Sequence, residues 1–376
     1  MKKSINKTMV STIMSTLLGL TFAATGVANA DTLKLGVAGP HSGDLASYGI
    51  PTTKAAKLVV KQINSKGGVN GKQVELVIED DVCKPEIATN TATKLASEGV
   101  KLVIGHICSG ATKAALPIYK NAKIIVMSPS ATSPGLTQSG DYPNFYRTIA
   151  SDDAQAAKEV EFAVSLGLKK IAVIHDKGDY GKGLAEFAKK FIEANDKVEV
   201  ALYEGVTPGA VDYSAVVQKI KRSGADGVIF GGYHPEASKI VTQMRKKRMK
   251  TVFISDDGVK DDTFIKVAGK YAEGVYATGP QDNSKNPLSK EAIEAHKKAY
   301  NKDPGAFYEN AYAATLAILA AVEEAGSTDY DAVTKALHEH ETDTPLGKIK
   351  FDEKGDAIGV GFAMYQVKDG KYVEVK

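Results

Sequence analysis

The chain has 376 residues, 48 basic against 45 acidic side chains, and two cysteines. Its surplus of positive charge is Lys2, Lys3 and Lys7, which precede an apolar run over 9–22 and the small residues Ala28-Asn29-Ala30, the grammar of a secretory signal peptide cleaved after Ala30. The chain from Asp31 onward is neutral, which excludes the clustered positive charge that nucleic acid or an acidic membrane surface requires.

No cysteine lies at the cleavage site to carry a lipid anchor. No later stretch approaches ~20 uninterrupted apolar residues. An exported, soluble protein is therefore expected, and its length is too great for one core.

In chain order, 33–38 reads as a strand ending at Gly39-Pro40, and 50–63 as a helix with Ala55, Ala56, Val59 and Ile63 at helical spacing. Residues 74–78 form a second strand, Pro85 opens a helix to about Ser97, and 102–104 is a buried strand that breaks at Gly105. A helix is expected from about Ala111, with Ser109 and Thr112 at its N-terminus, where unpaired amides and the helix dipole favour an anion. The plain alternative is that Ser109 only caps that helix. Strand 124–127 then runs into a hydroxyl-rich turn over 128–132.

After Asp152 the alternation starts afresh. Helices over 154–166, 180–194, 213–221 and 235–249 alternate with strands over 170–175, 198–203, 227–230 and 252–255, and 274–278 adds another strand. The pattern then turns helical over 289–301, 308–325 and 329–340, and the chain closes with alternating stretches over 347–351, 361–367 and 372–375. The fold class is α/β, with two doubly wound parallel-sheet lobes. No low-complexity linker separates them, so a hinge and a ligand cleft between the lobes are expected.

Enzyme motifs are missing: there is no G-x-S-x-G elbow, no C-x-x-C, and Gly178 to Gly183 lacks the phosphate-loop spacing. The chain is not read as an enzyme, and neither a cofactor nor a metal site is expected. His338 and His340 point to different helix faces and read as surface residues. In an exported protein the isolated pair Cys83 and Cys108 reads as a disulfide, which removes Cys108 as a nucleophile beside His106. His175 and His234 flank strand ends, where orienting a loop is as good a reading as catalysis.

Polar chemistry recurs instead at the C-terminal ends of the expected strands: Ser109, then Ser130 and Thr132, then Tyr180, Tyr233 and Asp256-Asp257. Ligands bind at that edge of open α/β sheets. Each residue alone also fits a cap, a turn or a loop acid. Hydroxyls with helix-start amides suit a carboxylate, and Asp257 and Thr132 suit an ammonium. A ligand bearing both groups is an amino acid.

Five stretches carry a family resemblance: Ile63-Asn64-Ser65-Lys66-Gly67-Gly68, Gly105-His106-Ile107-Cys108-Ser109, His175-Asp176-Lys177 with Tyr180-Gly181, Gly231-Gly232-Tyr233-His234-Pro235-Glu236, and Asp352-Glu353-Lys354-Gly355-Asp356. On these the chain resembles the leucine/isoleucine/valine-binding proteins, the periplasmic receptors of branched-chain amino acid ABC transporters. The resemblance implies a type I periplasmic binding fold with three hinge crossovers. Residues 31–150 and 281–352 would form the N-terminal lobe, and 151–280 and 353–376 the C-terminal lobe. It implies that Ser109, Thr132 and Tyr233 hold the ligand carboxylate. The Ser130 main chain, the Thr132 hydroxyl and an acid near Asp257 would hold the ammonium. Tyr48, Ile107, Tyr180, Phe307 and a Cys83–Cys108 bridge would line the side-chain pocket.

The implied function is capture of an L-amino acid by a monomeric receptor that closes on it and delivers it to an inner-membrane permease. Asp257 stands where the family commonly has Glu, and Ser130 where it commonly has Ala. Tyr308-Glu309-Asn310 is polar for a neighbour of an aliphatic pocket. Receptors for another amino acid, an amide or a small carboxylate are the alternative, and after them an exported enzyme using the same cleft.

Overall fold

The computed structural model describes residues 32–375; the expected signal peptide lies outside them. Strand β1 (Leu33–Gly39) leads to helix α1 (Ala46–Ser65), β2 (Val74–Asp80), α2 (Pro85–Ser97), β3 (Leu102–Ile104), α3 (Ser109–Asn121), β4 (Ile125–Ser128), α4 (Gly135–Gln138) and β5 (Phe145–Arg147). These five strands pair in parallel in the order β2-β1-β3-β4-β5.

The chain then crosses to a second sheet through α5 (Asp152–Ser165). It continues through β6 (Lys170–His175), α6 (Asp179–Glu193), β7 (Glu199–Gly205), α7 (Ser214–Ser223), β8 (Gly227–Gly231), α8 (His234–Lys246), β9 (Val252–Ser255), α9 (Asp262–Ala268) and β10 (Tyr276–Pro280). It returns with α10 (Pro287–Tyr300), α11 (Tyr308–Ala325), α12 (Tyr330–Glu339) and the hairpin β11 (Thr342–Thr344) and β12 (Gly347–Ile349), then adds β13 (Phe362–Lys368) and β14 (Lys371–Glu374) to the second sheet. That sheet runs β14-β13-β10-β9-β8-β6-β7, so β7-β6-β8-β9-β10 repeats the strand order of the first.

Alternate side chains along each strand feed opposite faces. In the first sheet Val37, Ile104 and Met127 pack with α1 and α11. Ala38, Val103 and Val126 pack with α2 and α3. In the second, Ala172, Val228 and Phe253 meet α7 and α8, and Ile171, Ile229 and Ile254 meet α5 and α6. Both sheets are therefore covered twice, which is what parallel pairing demands.

Several expectations need correction. Helix α1 begins at Ala46 rather than residue 50; Pro51 suits a first turn but sits inside this helix. The second sheet is mixed, because β13 and β14 are antiparallel. Their link, Asp369-Gly370, has φ of 50° and 71°, as a two-residue hairpin turn of matching twist requires. Strands β5 and β11 are three residues each, too short to show a period. Helix α9 is likewise absent from the expected elements. His338 is half-buried, with its Nε2 3.2 Å from the Tyr146 hydroxyl, whereas His340 is exposed as expected. Among the described residues no helix is long and apolar enough to cross a membrane.

Candidate ligand-binding site

In a 2-1-3-4-5 sheet the connections diverge on either side of the first strand and leave a crevice at its carboxyl end. Both sheets bring that crevice to one small cavity. Tyr48, Ile107, Ser109, Ser130 and Phe307 line it from the first sheet's side. Tyr180, Tyr233, Asp257 and Gly258 line it from the second. All the expected ligand residues except Thr132 stand in this wall, and Gly258 joins them.

On the first side, Cys108 occupies the cap position of α3 and Ser109 is the first helical residue. Ser109 is therefore not the cap. Its Oγ accepts from the Ser133 amide at 3.2 Å, while Thr112 Oγ1 donates back to the Cys108 carbonyl at 3.0 Å. The first-turn amides keep the positive end of the helix dipole. Ser130 Oγ donates to the Ile107 carbonyl at 2.9 Å.

Behind this wall lies a buried frame. Asp81 Oδ2 meets His106 Nδ1 at 2.6 Å, His106 Nε2 meets the Tyr119 hydroxyl at 3.0 Å, and Asp81 Oδ1 accepts from the Cys83 amide at 2.7 Å. Cys83 and Cys108 are disulfide-bonded with Cα atoms 5.6 Å apart; neither lines the cavity itself. The Arg147 guanidinium, fully buried, donates to the carbonyls of Ala131 and Ser133 at 3.3 and 3.0 Å and to Asp356 Oδ1. It thereby fixes both flanks of Thr132. Sequence reading missed Arg147, although its partner Asp356 lies in one of the motifs.

Tyr48, in the first turn of α1, donates to the Gly258 carbonyl across the cleft. Its ring centroid is 5.8 Å from that of Phe307 and 6.0 Å from that of Tyr233. Phe307 holds a left-handed φ of 59° at the cap of α11. Tyr233 caps α8 and stands 5.2 Å from Tyr180. That approach depends on paired glycines: a Cβ at Gly181 would lie 2.3 Å from the Gly231 carbonyl oxygen, and one at Gly231 would lie 2.2 Å from that of Gly181. A Cβ at Gly258 would lie 2.5 Å from the Gly232 oxygen and 3.0 Å from Tyr180 Cε1.

The second side is acidic. Tyr180 donates to Asp257 Oδ1, and Asp257 Oδ2 is buried with no hydrogen-bond partner. Burial raises the Asp257 carboxyl to about 6, against the pull of Tyr180. Asp256 Oδ2 accepts from the Gly232 amide at 2.8 Å; burial, with Glu159 nearby, pushes it well above the carboxylate range. Burial lifts Asp152 to about 8, and the Thr132 hydroxyl beside it is buried. Burial keeps Tyr48, Tyr180 and Tyr233 far above the usual phenol range, so all three remain donors. Buried acids that repel one another favour a cation among them. Among the described residues no group of three or more His, Cys, Asp and Glu is arranged to hold a metal ion.

The chain matches the periplasmic binding protein family over residues 32–371. It is 40% identical over 350 residues to the leucine-, isoleucine-, valine-, threonine- and alanine-binding protein of Pseudomonas aeruginosa, covering 92% of this chain and 93% of that relative. The leucine binding protein LivK of Thermotoga maritima superposes with a TM-score of 0.85 at 28% identity, covering 92% of this chain and 98% of its own. The branched-chain amino acid transporter substrate binding protein LivJ of Streptococcus pneumoniae, in complex with isoleucine, gives 0.82 at 28% identity, covering 92% and 100%. The cavity thus lies between the lobes of a type I periplasmic binding fold, and the chain belongs to the periplasmic binding protein family.

Proposed function

We propose that this protein captures an L-amino acid with an aliphatic side chain and hands it to the permease of an ABC importer. The observation that carries the reading is Asp257: a buried carboxylate oxygen without a partner in the same small cavity as the first turn of α3. An ammonium at Asp257 and a carboxylate at Ser109 and the α3 amides complement both ends. Tyr233 supplies a second donor to the carboxylate, and the Ser130 carbonyl completes the ammonium site. Tyr48, Ile107, Tyr180 and Phe307 enclose the side chain. The names of the relatives point the same way.

Binding closes lobe 31–150/281–352 on lobe 151–280/353–376, and the closed monomer docks on its membrane partner in the periplasm after cleavage at Ala30. The role is binding rather than catalysis. Calorimetric titration of the twenty L-amino acids against the mature protein, stripped of carried-over ligand by unfolding and refolding, tests the reading. Leucine, isoleucine or valine should bind tightly; silence from all twenty would overturn it.

A further inference from the structure

Asp257 and Phe307 line both the small cavity and a larger neighbouring groove. Lys260 enters this groove three residues after Asp257. Its methylenes occupy the space beside Gly279, where a Cβ would lie 2.0 Å from Lys260 Cδ. Its ammonium rests 4.1 Å from the centre of the Tyr365 ring, whose hydroxyl is anchored to the Pro280 carbonyl at 2.6 Å. No carboxylate among the described residues reaches it within 4.0 Å.

Glu309, in the first turn of α11, also lines the groove, and its Oε1 is buried without a hydrogen-bond partner. Burial raises this carboxyl and lowers the Lys260 ammonium, and each acts on the other through charge. A position in a first turn accounts for an acid at 309, but not for a buried oxygen left unpaired. Lys260, with its ammonium on an aromatic face, and Glu309, with Ser289 beside it and one oxygen without a hydrogen bond, thus line one groove beyond the cavity.

Resting on the amino-acid reading above, we propose that this groove is a second subsite that takes the carboxamide at the end of a longer side chain. Lys260 donates to the amide oxygen and Glu309 accepts from its N–H, which brings glutamine into the ligand range alongside the aliphatic amino acids. Neither residue lines the small cavity itself, so the proposal gives them a part in choosing among side chains.

The stripped mature protein is titrated with L-leucine, L-glutamine and L-norleucine, which lacks the amide. Glutamine should bind the wild-type protein at least about tenfold more tightly than norleucine, the size of a charge-assisted hydrogen bond. Lys260→Met and Glu309→Met should each weaken glutamine by about tenfold or more and shift leucine by less than about threefold. Leucine binding by the same preparations certifies that the variants are folded. Leucine binding without glutamine binding in the wild-type protein overturns the subsite alone. Equal weakening of all three ligands also overturns it, and would assign the two residues to lobe closure. Failure of every ligand, leucine included, overturns the amino-acid reading itself.

Discussion

Tyr180 donates its hydroxyl hydrogen bond to Asp257 Oδ1 and accepts one from the Gly258 amide at 3.3 Å. One tyrosine therefore orients the carboxylate, braces the loop that carries it, and leaves Oδ2 unpartnered. The acid at 257 is held in place by this contact.

Affinity should depend on pH through Asp257. Its folded pKa is raised to about 6 by burial, so below that pH a proton competes with the ligand ammonium for the carboxylate. Affinity for leucine is expected to be level above pH 6 and to fall roughly tenfold per pH unit below it. Asp257→Asn should flatten the profile and weaken binding by at least about 30-fold, since it removes one partner of a desolvated charge pair. Titrations at pH 5 and 7 on both proteins check this.

Asp152 should set a stability gradient of the opposite kind. Its folded pKa of about 8 lies above the ordinary 3.8. The native state therefore holds a proton that the unfolded chain releases across that window. Stability falls as pH rises from about 4 to 8 on account of this group. Asp152→Asn should melt a few degrees above wild type at pH 8 and close to it at pH 4. Scanning calorimetry at the two pH values decides; a uniform loss at both would refute the assignment.

Arg147 fixes the carbonyls on either side of Thr132 while paired to Asp356. Arg147→Met leaves those carbonyls and the carboxylate without their donor and should destabilise the fold by about 3–5 kcal/mol. Denaturant unfolding measures the loss. Asp356→Asn, which keeps an acceptor oxygen, should cost less.

Cys83 and Cys108 close a loop with a sequence separation of 25, and replacing both by serine should cost about 3 kcal/mol. Because Cys108 lies between Ile107 and Ser109, affinity should drop too. Unchanged melting and affinity in the double variant would show that the bridge supports neither.

Strand ends were legible in the sequence because parallel strands are short apolar runs that stop at glycine, hydroxyl or acid, as at Gly105, Ser128 and Asp256. The hydroxyls and acids placed there were enough to propose an amino acid. Beyond the short elements β5, β11 and α9, three further features escaped. The cap of α3 slid from Ser109 to Cys108 because the disulfide residue takes the extended cap conformation, and no side chain caps the helix. Arg147 looked like one basic residue among many, since its burial is visible only once β5 pairs with β4 and Asp356 folds back beside it. The antiparallel β13–β14 edge was legible as alternation, but its sheet was not, since partner choice over a long chain separation leaves no local mark.

Gly258 has a consequence for anyone retuning this receptor as a biosensor. With Gly232, Tyr180 and Asp256 already packed around it, the position tolerates no side chain, and its carbonyl is committed to Tyr48. Backbone packing at Gly258 thus fixes where Asp257 sits, whereas Ile107 and Phe307 supply replaceable bulk. A mutational library aimed at those two positions should change which cargo is chosen while the grip on the amino-acid head group survives; one aimed at residue 258 should yield mostly dead clones.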